Sequence, residues 1–517
     1  MSYADLAITE GDHSLIDQEI TNLTNDFGVR PGEEAKDSLL SINPASPKEI
    51  VGQFLNNSEE TVLEIFEGAK ATQQFWGKEL NWTDRLSLMG EFYNNVVKNQ
   101  YRLAASVILE CGKDRLEAFA EVKEFIELME YYLQLYREHR GYRLSMDVEK
   151  SEHTSSNVIY KPFGTFAAIT PFNFPVAMAG MCFGALLTGN TIVWKAAPET
   201  LLTGSLLFSC FPILSHNVFS FVTCEENLFG RVITSNPDLV DGLAFTGSTE
   251  VGSSLANTLN GQRRRGGARK MVMEMGGNNP CIVTPSANID DAGWGIAKSA
   301  FGACAQKCSA CGRAIIHESI VDQVVESIVD VSKKLFFIGD PRLRGVTLGP
   351  VIHERAREAH YKYLQDAFSA RAGMIFPVRK SESPIGGYFV EPAIVTDLPP
   401  DHPLFFKELF IPILRVQTYS GDIKEAVYLA NNTDYGLTAG IFTGDDQEKK
   451  YFFDNIQAGV TYANRRGGAT TGAWPKNQAF GGWKNSGLCT QHGVCGPMYL
   501  TNFMRGQSQY DASPRSI

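Results

Sequence analysis

The sequence predicts an α/β protein built on two parallel sheets, and three observations carry that expectation. From residue 158 onward, short apolar strand-like runs (NVIYKPFGTFAAITP, NTIVWKAA, VFSFVTC, GLAFTGS, KMVMEMGG) alternate with helical stretches such as AMAGMCFGALLTG and TLLTGSLLFSCF. A second alternating series runs from Pro280 to Asn464, with CIVTPS, AIIHES, YFVEPAIVTD and LRVQTYS as its strands. Such near-continuous apolar strands suit parallel sheets, whose faces are both covered by helices. Finally, 517 residues with 44% apolar and 20% charged content provide ample material for more than one core.

The elements follow in order. Residues 1–50 are polar and read as loop. NNSEETVLEIFEGAKATQQFWG opens a helical region reaching Arg140, in which EAFAEVKEFIELMEYYLQLYREH keeps its aromatics and leucines on one side. RLSMDVEKSEHTSSNVIYKP alternates and predicts a hairpin reaching outside its own domain. After the two strand–helix series come the glycine-rich GGATTGAWPKNQAFGGWKNSG and a strand-like tail, PMYLTNFMRGQSQ. The expected division is a helical part at 1–142, a hairpin at 143–158, a first parallel α/β domain at 159–279, a second at 280–464, and a loop and tail at 465–517.

Composition excludes several function classes. A net charge of −11 speaks against nucleic acid and anionic membranes, and it obliges any anionic ligand to be held by local donors. The ten cysteines are scattered, and the acidic start MSYADLAITEGDHSLIDQEI has no apolar targeting core, which points to a reducing cytoplasm. The most apolar windows are interrupted by glycine and too short to span a bilayer. The nine histidines suggest no metal site; His353 and His360 are expected on a solvated helix.

Within AQKCSACGR, Cys308 is flanked by small residues and by Lys307. A thiolate is a strong nucleophile, and a neighbouring cation lowers the thiol pKa. Cys304, Cys308 and Cys311 also form a C-x3-C-x2-C run, which could instead hold an iron–sulfur cluster. The position of the triplet, past mid-chain and leading into a strand, suits a nucleophile loop at least as well.

PFNFP (171–175), WKAAPET (194–200), FTGSTEVG (245–252), EMGGNNP (274–280), AQKCSACGR (305–313), KELFIPIL (407–414) and AFGGWKNSG (479–487) occur together in this order. In that order and spacing the chain resembles the aldehyde dehydrogenase superfamily. The resemblance implies two Rossmann-type domains with an oligomerisation hairpin and tail, and NAD(P)-dependent oxidation of an aldehyde to an acid in a homo-oligomer. It implies Cys308 as nucleophile, Asn173 as oxyanion donor beside the Cys308 amide, and Glu274 as the base that activates water. For the cofactor it implies Lys195 and Trp194 at a strand end, Gly247, Ser248 and Gly252 at a helix entry, and Glu408 with Phe410 at the nicotinamide ribose. NAD is the expected cofactor and NADP remains open, because Pro198 stands where an acidic residue is common, Glu199 comes one place later, and CEENLFG lacks glycines.

QKCSACGR, TGA (471–473) and AFGGWKNSG are most similar to the branch that oxidises glutamate semialdehyde, formed from 1-pyrroline-5-carboxylate, to glutamate. That likeness implies that Thr471, Gly472 and Ala473 receive the amino-acid end, that Lys307 and Ser309 flank the reacting carbon, and that Phe174 and Phe480 clamp the chain. Glu127 is the expected partner of Lys307. Asn278 replaces the lysine usual after the two glycines, and Trp474, Pro475 and Lys476 replace small residues, so another aliphatic or amino aldehyde stays an alternative.

Overall fold

The computed structural model describes residues 6–30, 32, 35–147, 154–212, 217–262, 267–378, 386–488 and 493–512. Residues 1–50, expected as loop, instead contain a helix, α1 (Glu10–Phe27), and most of a β-hairpin, β1 (Ser38–Asn43) with β2 (Ser46–Leu55). The Thr9 hydroxyl accepts from Asp12 N while the Asp12 carboxylate accepts from Thr9 N, a reciprocal cap that starts α1. Only Ile16 and Leu23 of this helix are buried, so its narrow apolar stripe is diluted by solvated polar residues. Helices α2 (Glu59–Gln74), α3 (Trp82–Lys98), α4 (Gln100–Cys111) and α5 (Arg115–Glu138) follow, and α1 docks on α4. Asp114 caps α5 by accepting from Leu116 N and Glu117 N at 3.0 Å.

β3 (Arg143–Ser145) pairs antiparallel with β4 (Thr154–Pro162); part of the expected hairpin, including its turn, lies outside the described residues. Next come β5 (Thr165–Ile169), α6 (Gly180–Leu187), β6 (Thr191–Lys195), α7 (Leu201–Ser209), β7 (Phe219–Phe221), α8 (Glu226–Ser235), β8 (Gly242–Thr246), α9 (Thr249–Gly261) and β9 (Lys270–Glu274). Strands β5 to β9 pair in parallel in the order β9-β8-β5-β6-β7. From β5 the chain steps outward to β6 and β7, then returns to place β8 on the other side of β5 and β9 beyond it. The crevice at the carboxyl ends of β5 and β8 is therefore a topological switch point, where open parallel sheets bind ligands.

The second sheet uses β10 (Asn279–Val283), α10 (Ile289–Phe301), β11 (Cys311–His317), α11 (Val321–Leu335), α12 (Glu354–Ser369), β12 (Gly373–Ile375), β13 (Ala393–Thr396) and β14 (Ile413–Tyr419). It continues with α13 (Ile423–Asn431), the short β15 (Tyr435–Gly436), β16 (Thr438–Phe442), α14 (Asp446–Asn455) and β17 (Val460–Ala463). Its order is β12-β13-β14-β11-β10-β16-β17, parallel except at the β12 edge. The chain then returns: β18 (Trp483–Lys484) pairs with β15, β19 (Gly487–Leu488) adds antiparallel to β9, and β20 (Met504–Ala512) runs along β4. The histidine expectation is half corrected. His353 caps α12, but His360 is 1% exposed because it sits on the helix face turned to the core.

Candidate active site

A cavity of about 1650 Å³ lies at the ends of both sheets. Cys308 reaches it from the loop between α10 and β11. That loop is held tightly. Asn279 Nδ2 donates to Cys308 O at 2.7 Å and to Ala310 O at 2.9 Å, and Thr470 Oγ1 donates to Ser309 O at 2.7 Å. A Cβ at Gly277 would lie 2.4 Å from Cys308 O, so this position needs glycine for close approach. Gln306 accepts from Ile352 N at 2.8 Å and donates to Pro350 O at 3.3 Å, anchoring the loop to the second sheet's side.

Asn173, in the turn after β5, is 6% exposed and donates one amide N–H to Gln306 O at 2.9 Å. That bond orients the amide and leaves its second N–H available. Glu274 ends β9, and its Oε2 is buried without a hydrogen-bond partner. Burial pushes this carboxyl well above the usual carboxylate range. The Cys308 thiol is also pushed up, by burial first and then by Glu408 and Glu274. Lys307 does not relieve it, because its ammonium is bonded to both oxygens of Glu117, at 2.7 and 2.8 Å. Lys307 therefore holds the loop to α5 and does not lower the thiol pKa.

On the nucleotide side, Lys195, Gly247, Ser248, Glu408 and Phe410 line the wall. The buried Lys195 Nζ bonds Ala196 O at 3.3 Å. Ser248 caps α9 by accepting from Val251 N at 3.3 Å. Glu408 accepts from Gly277 N at 2.8 Å, and burial moves its carboxyl to about 7. Two expected contacts are corrected. Trp194 is fully buried, donates to Thr170 Oγ1 at 2.9 Å and stacks on Phe219, since strand alternation turns it away from the face Lys195 occupies. Gly252 is a packing glycine: its Cβ would lie 2.6 Å from Met275 Sδ. The carboxylate missing at Pro198 is supplied nearby by Glu199 and by Glu226, which sequence reasoning did not single out; both line this wall and act electrostatically on Lys195. A buried cation at a strand end, glycine amides at a helix entry and a carboxylate beyond them fit a dinucleotide.

On the opposite side, Phe174, Ser309, Phe480 and the Thr471–Ala473 turn line the cavity. Gly472 has φ +97°, and Arg465 Nη1 fixes the turn by donating to Thr471 O at 2.8 Å. Phe480 N donates to Val494 O at 2.7 Å. Glu127 is not beside Lys307: it accepts from Trp474 Nε1 at 2.5 Å, and Lys476 pairs with Glu130 at 2.8 Å. The unusual 474–476 segment thus ties the Thr471–Ala473 turn to α5. Glu124, which was not singled out, lines the cavity instead, half-buried, with no hydrogen-bond or ion-pair partner among the described residues. Asn278, in place of lysine, accepts from Arg415 Nη2 at 2.7 Å and donates to Phe405 O at 2.7 Å, so a buried cation reaches this turn from β14. Cys304 is packed in the core and Cys311 opens β11; among the described residues no three candidate ligands converge as a cluster or metal would require.

The profile of the aldehyde dehydrogenase family matches residues 31–506. The chain belongs to the aldehyde dehydrogenase family. Among its curated relatives is a 1-pyrroline-5-carboxylate dehydrogenase of Bacillus mycoides, 31% identical over 480 residues, 92% of this chain and 90% of the relative. The 1-pyrroline-5-carboxylate dehydrogenase of Thermus thermophilus superposes with a TM-score of 0.88 at 27% identity, covering 98% of this chain and 97% of the other. A Thermus enzyme of that name with bound NAD superposes at 0.87, with the same identity and coverage. The family fold, with its two parallel α/β sheets, therefore extends over nearly the whole chain. Among the described residues no helix is long and apolar enough to cross a membrane.

Proposed function

We propose that this family member oxidises L-glutamate 5-semialdehyde, the open form of 1-pyrroline-5-carboxylate, to L-glutamate with NAD. The observation that carries this reading is one cavity lined by the Cys308 thiol and the oriented Asn173 amide, with Phe174, Glu124 and the Thr471–Ala473 turn farther along it, while Glu274 is buried beside the lining residue Met275, close enough to act electrostatically on Cys308. The Cys308 sulfur attacks the aldehyde carbon, and its proton leaves to a base. Asn173 Nδ2 and the Cys308 amide donate to the oxyanion, where one such donor is worth about 3 kcal/mol. NAD held along the Lys195, Gly247, Ser248 and Glu408 wall would supply the hydride acceptor that takes the thiohemiacetal to the thioester level. Glu274 takes a proton from water, which adds to the thioester and releases the acid and the thiol.

At the far end, the backbone amides of the Thr471–Ala473 turn suit the α-carboxylate, Glu124 suits the α-ammonium, and Phe174 and Phe480 flank the methylenes. For the cofactor, Glu199 and Glu226 supply negative charge that disfavours a 2′-phosphate and supports NAD over NADP. The relatives' names and the structure of one with NAD support the same assignment. The expected domain division, homo-oligomeric state and cytoplasmic location are proposed with it. The test is NADH formation by purified protein with 1-pyrroline-5-carboxylate and a panel of simple aldehydes. A clear preference for the first, lost in Cys308→Ala with NAD binding retained, is expected; equal rates across the panel would sink the substrate assignment.

A further inference from the structure

We infer that the buried Lys113–Glu121 ion pair is a positioning device that sets the oxyanion turn and the substrate-facing Phe174 ring. Lys113 Nζ lies 2.7 Å from Glu121 Oε2, and the two side chains are 4% and 0% exposed. The other Glu121 oxygen accepts from Val176 N at 2.7 Å and Ala177 N at 3.2 Å, two and three residues after Phe174. The Lys113 ammonium also sits 3.7 Å from the centroid of the Phe174 ring, which lines the cavity. At the start of the same turn, Cys111 Sγ donates to Phe172 O at 3.1 Å. The α4–α5 junction therefore grips residues 172–177 from one side, while Asn173 is held to the nucleophile loop from the other through Gln306 O.

Two buried charges are a poor way to gain stability, because desolvation offsets most of their attraction and apolar side chains would pack at least as favourably. What the pair supplies is direction. A carboxylate fixed by a lysine gives two backbone amides one acceptor position, and the lysine's charge holds the aromatic face in one orientation. Neither residue touches the reacting atoms, so both act through Phe174 and the turn. This role rests on the proposed function only in that the turn serves an aldehyde.

Lys113→Met keeps the stem but removes the pair and the cation. It is expected to lower kcat/KM for the aldehyde about 10- to 100-fold, the scale on which small misplacements of reacting groups act, with the Kd for NAD unchanged. Lys113→Arg, which restores a cation, is expected to recover most of the loss. Combined with Phe174→Leu, Lys113→Met is expected to add little, because both remove the same contact. Wild-type kcat/KM in Lys113→Met at any thermal stability, or full multiplication of the two effects, would overturn the inference. If Lys113→Met does not fold, Glu121→Gln decides: it keeps an acceptor for both amides, and wild-type kcat/KM in it is equally contrary. If the unaltered chain oxidises no aldehyde, the functional proposal fails instead. The positioning role is then read from crystal structures of both chains, where an unmoved Phe174 and 172–177 backbone in Lys113→Met overturns it.

Discussion

Ala303, Cys304 and Ala305, just ahead of the proposed nucleophile Cys308, have φ of +50°, +57° and +58°, and all three are buried. Left-handed backbone costs a non-glycine residue about 1–2 kcal/mol, so this run stores strain where the thiol is presented. Ala305→Gly is expected to raise stability by about 1 kcal/mol in urea unfolding. Glu274 is the second residue with a measurable signature. Burial raises its pKa, the base must be ionised to act, and so kcat should fall as pH drops through that raised value, whereas the size of the single-turnover NADH burst in Glu274→Gln should not follow that limb. Cys308, Glu274 and Asn173 could be proposed from the sequence because each sits in a short local motif. The partner of Lys307 was not, since Glu117 lies 190 positions away and only docking brings it near.

The element that organises the proposed substrate end is α5. Glu117, Glu121 and Glu124 follow at intervals of four and three and so share a face, while Glu127 is turned aside to Trp474. Helical periodicity was plain in the sequence, but which acidic stripe meets the cavity depends on how α5 docks. Helix α1 was missed for a related reason: its two buried residues give too weak a pattern against its polar remainder. Burial, then the charge of Glu121, pushes Glu124 up to about 8. To pair with an ammonium it must lose its proton, so the KM for glutamate semialdehyde should rise as pH falls below about 8. An aldehyde with no amino group should not show that rise. Glu124→Gln should raise the same KM about 10- to 100-fold, the worth of a charged hydrogen bond, and leave the simple aldehyde unaffected.

For the whole molecule, the two parallel sheets were legible because strands buried on both faces read as uninterrupted apolar runs. How the tail closes the structure was less so. It adds β19 to the first sheet and pairs β20 with β4, contacts between residues far apart in sequence. From Arg505 onward β20 is exposed, with Tyr510 at 63% and nearby Leu144 at 42%. An exposed sheet of this kind suits association with a second copy. Sedimentation of the full chain is expected to give a dimer or larger assembly, and removal of residues 504–517 to shift it toward monomer; an unchanged mass would contradict this.

The central claim is a covalent thioester on Cys308 that Glu274 clears. It is tested most directly by mixing Glu274→Gln with NAD and glutamate semialdehyde, following NADH, and then mapping the acylated peptide by mass spectrometry. The account requires one equivalent of NADH per chain, then arrest, with the acyl group on Cys308. Continued turnover, no burst at all, or acylation of Cys304 or Cys311 in its place would contradict it.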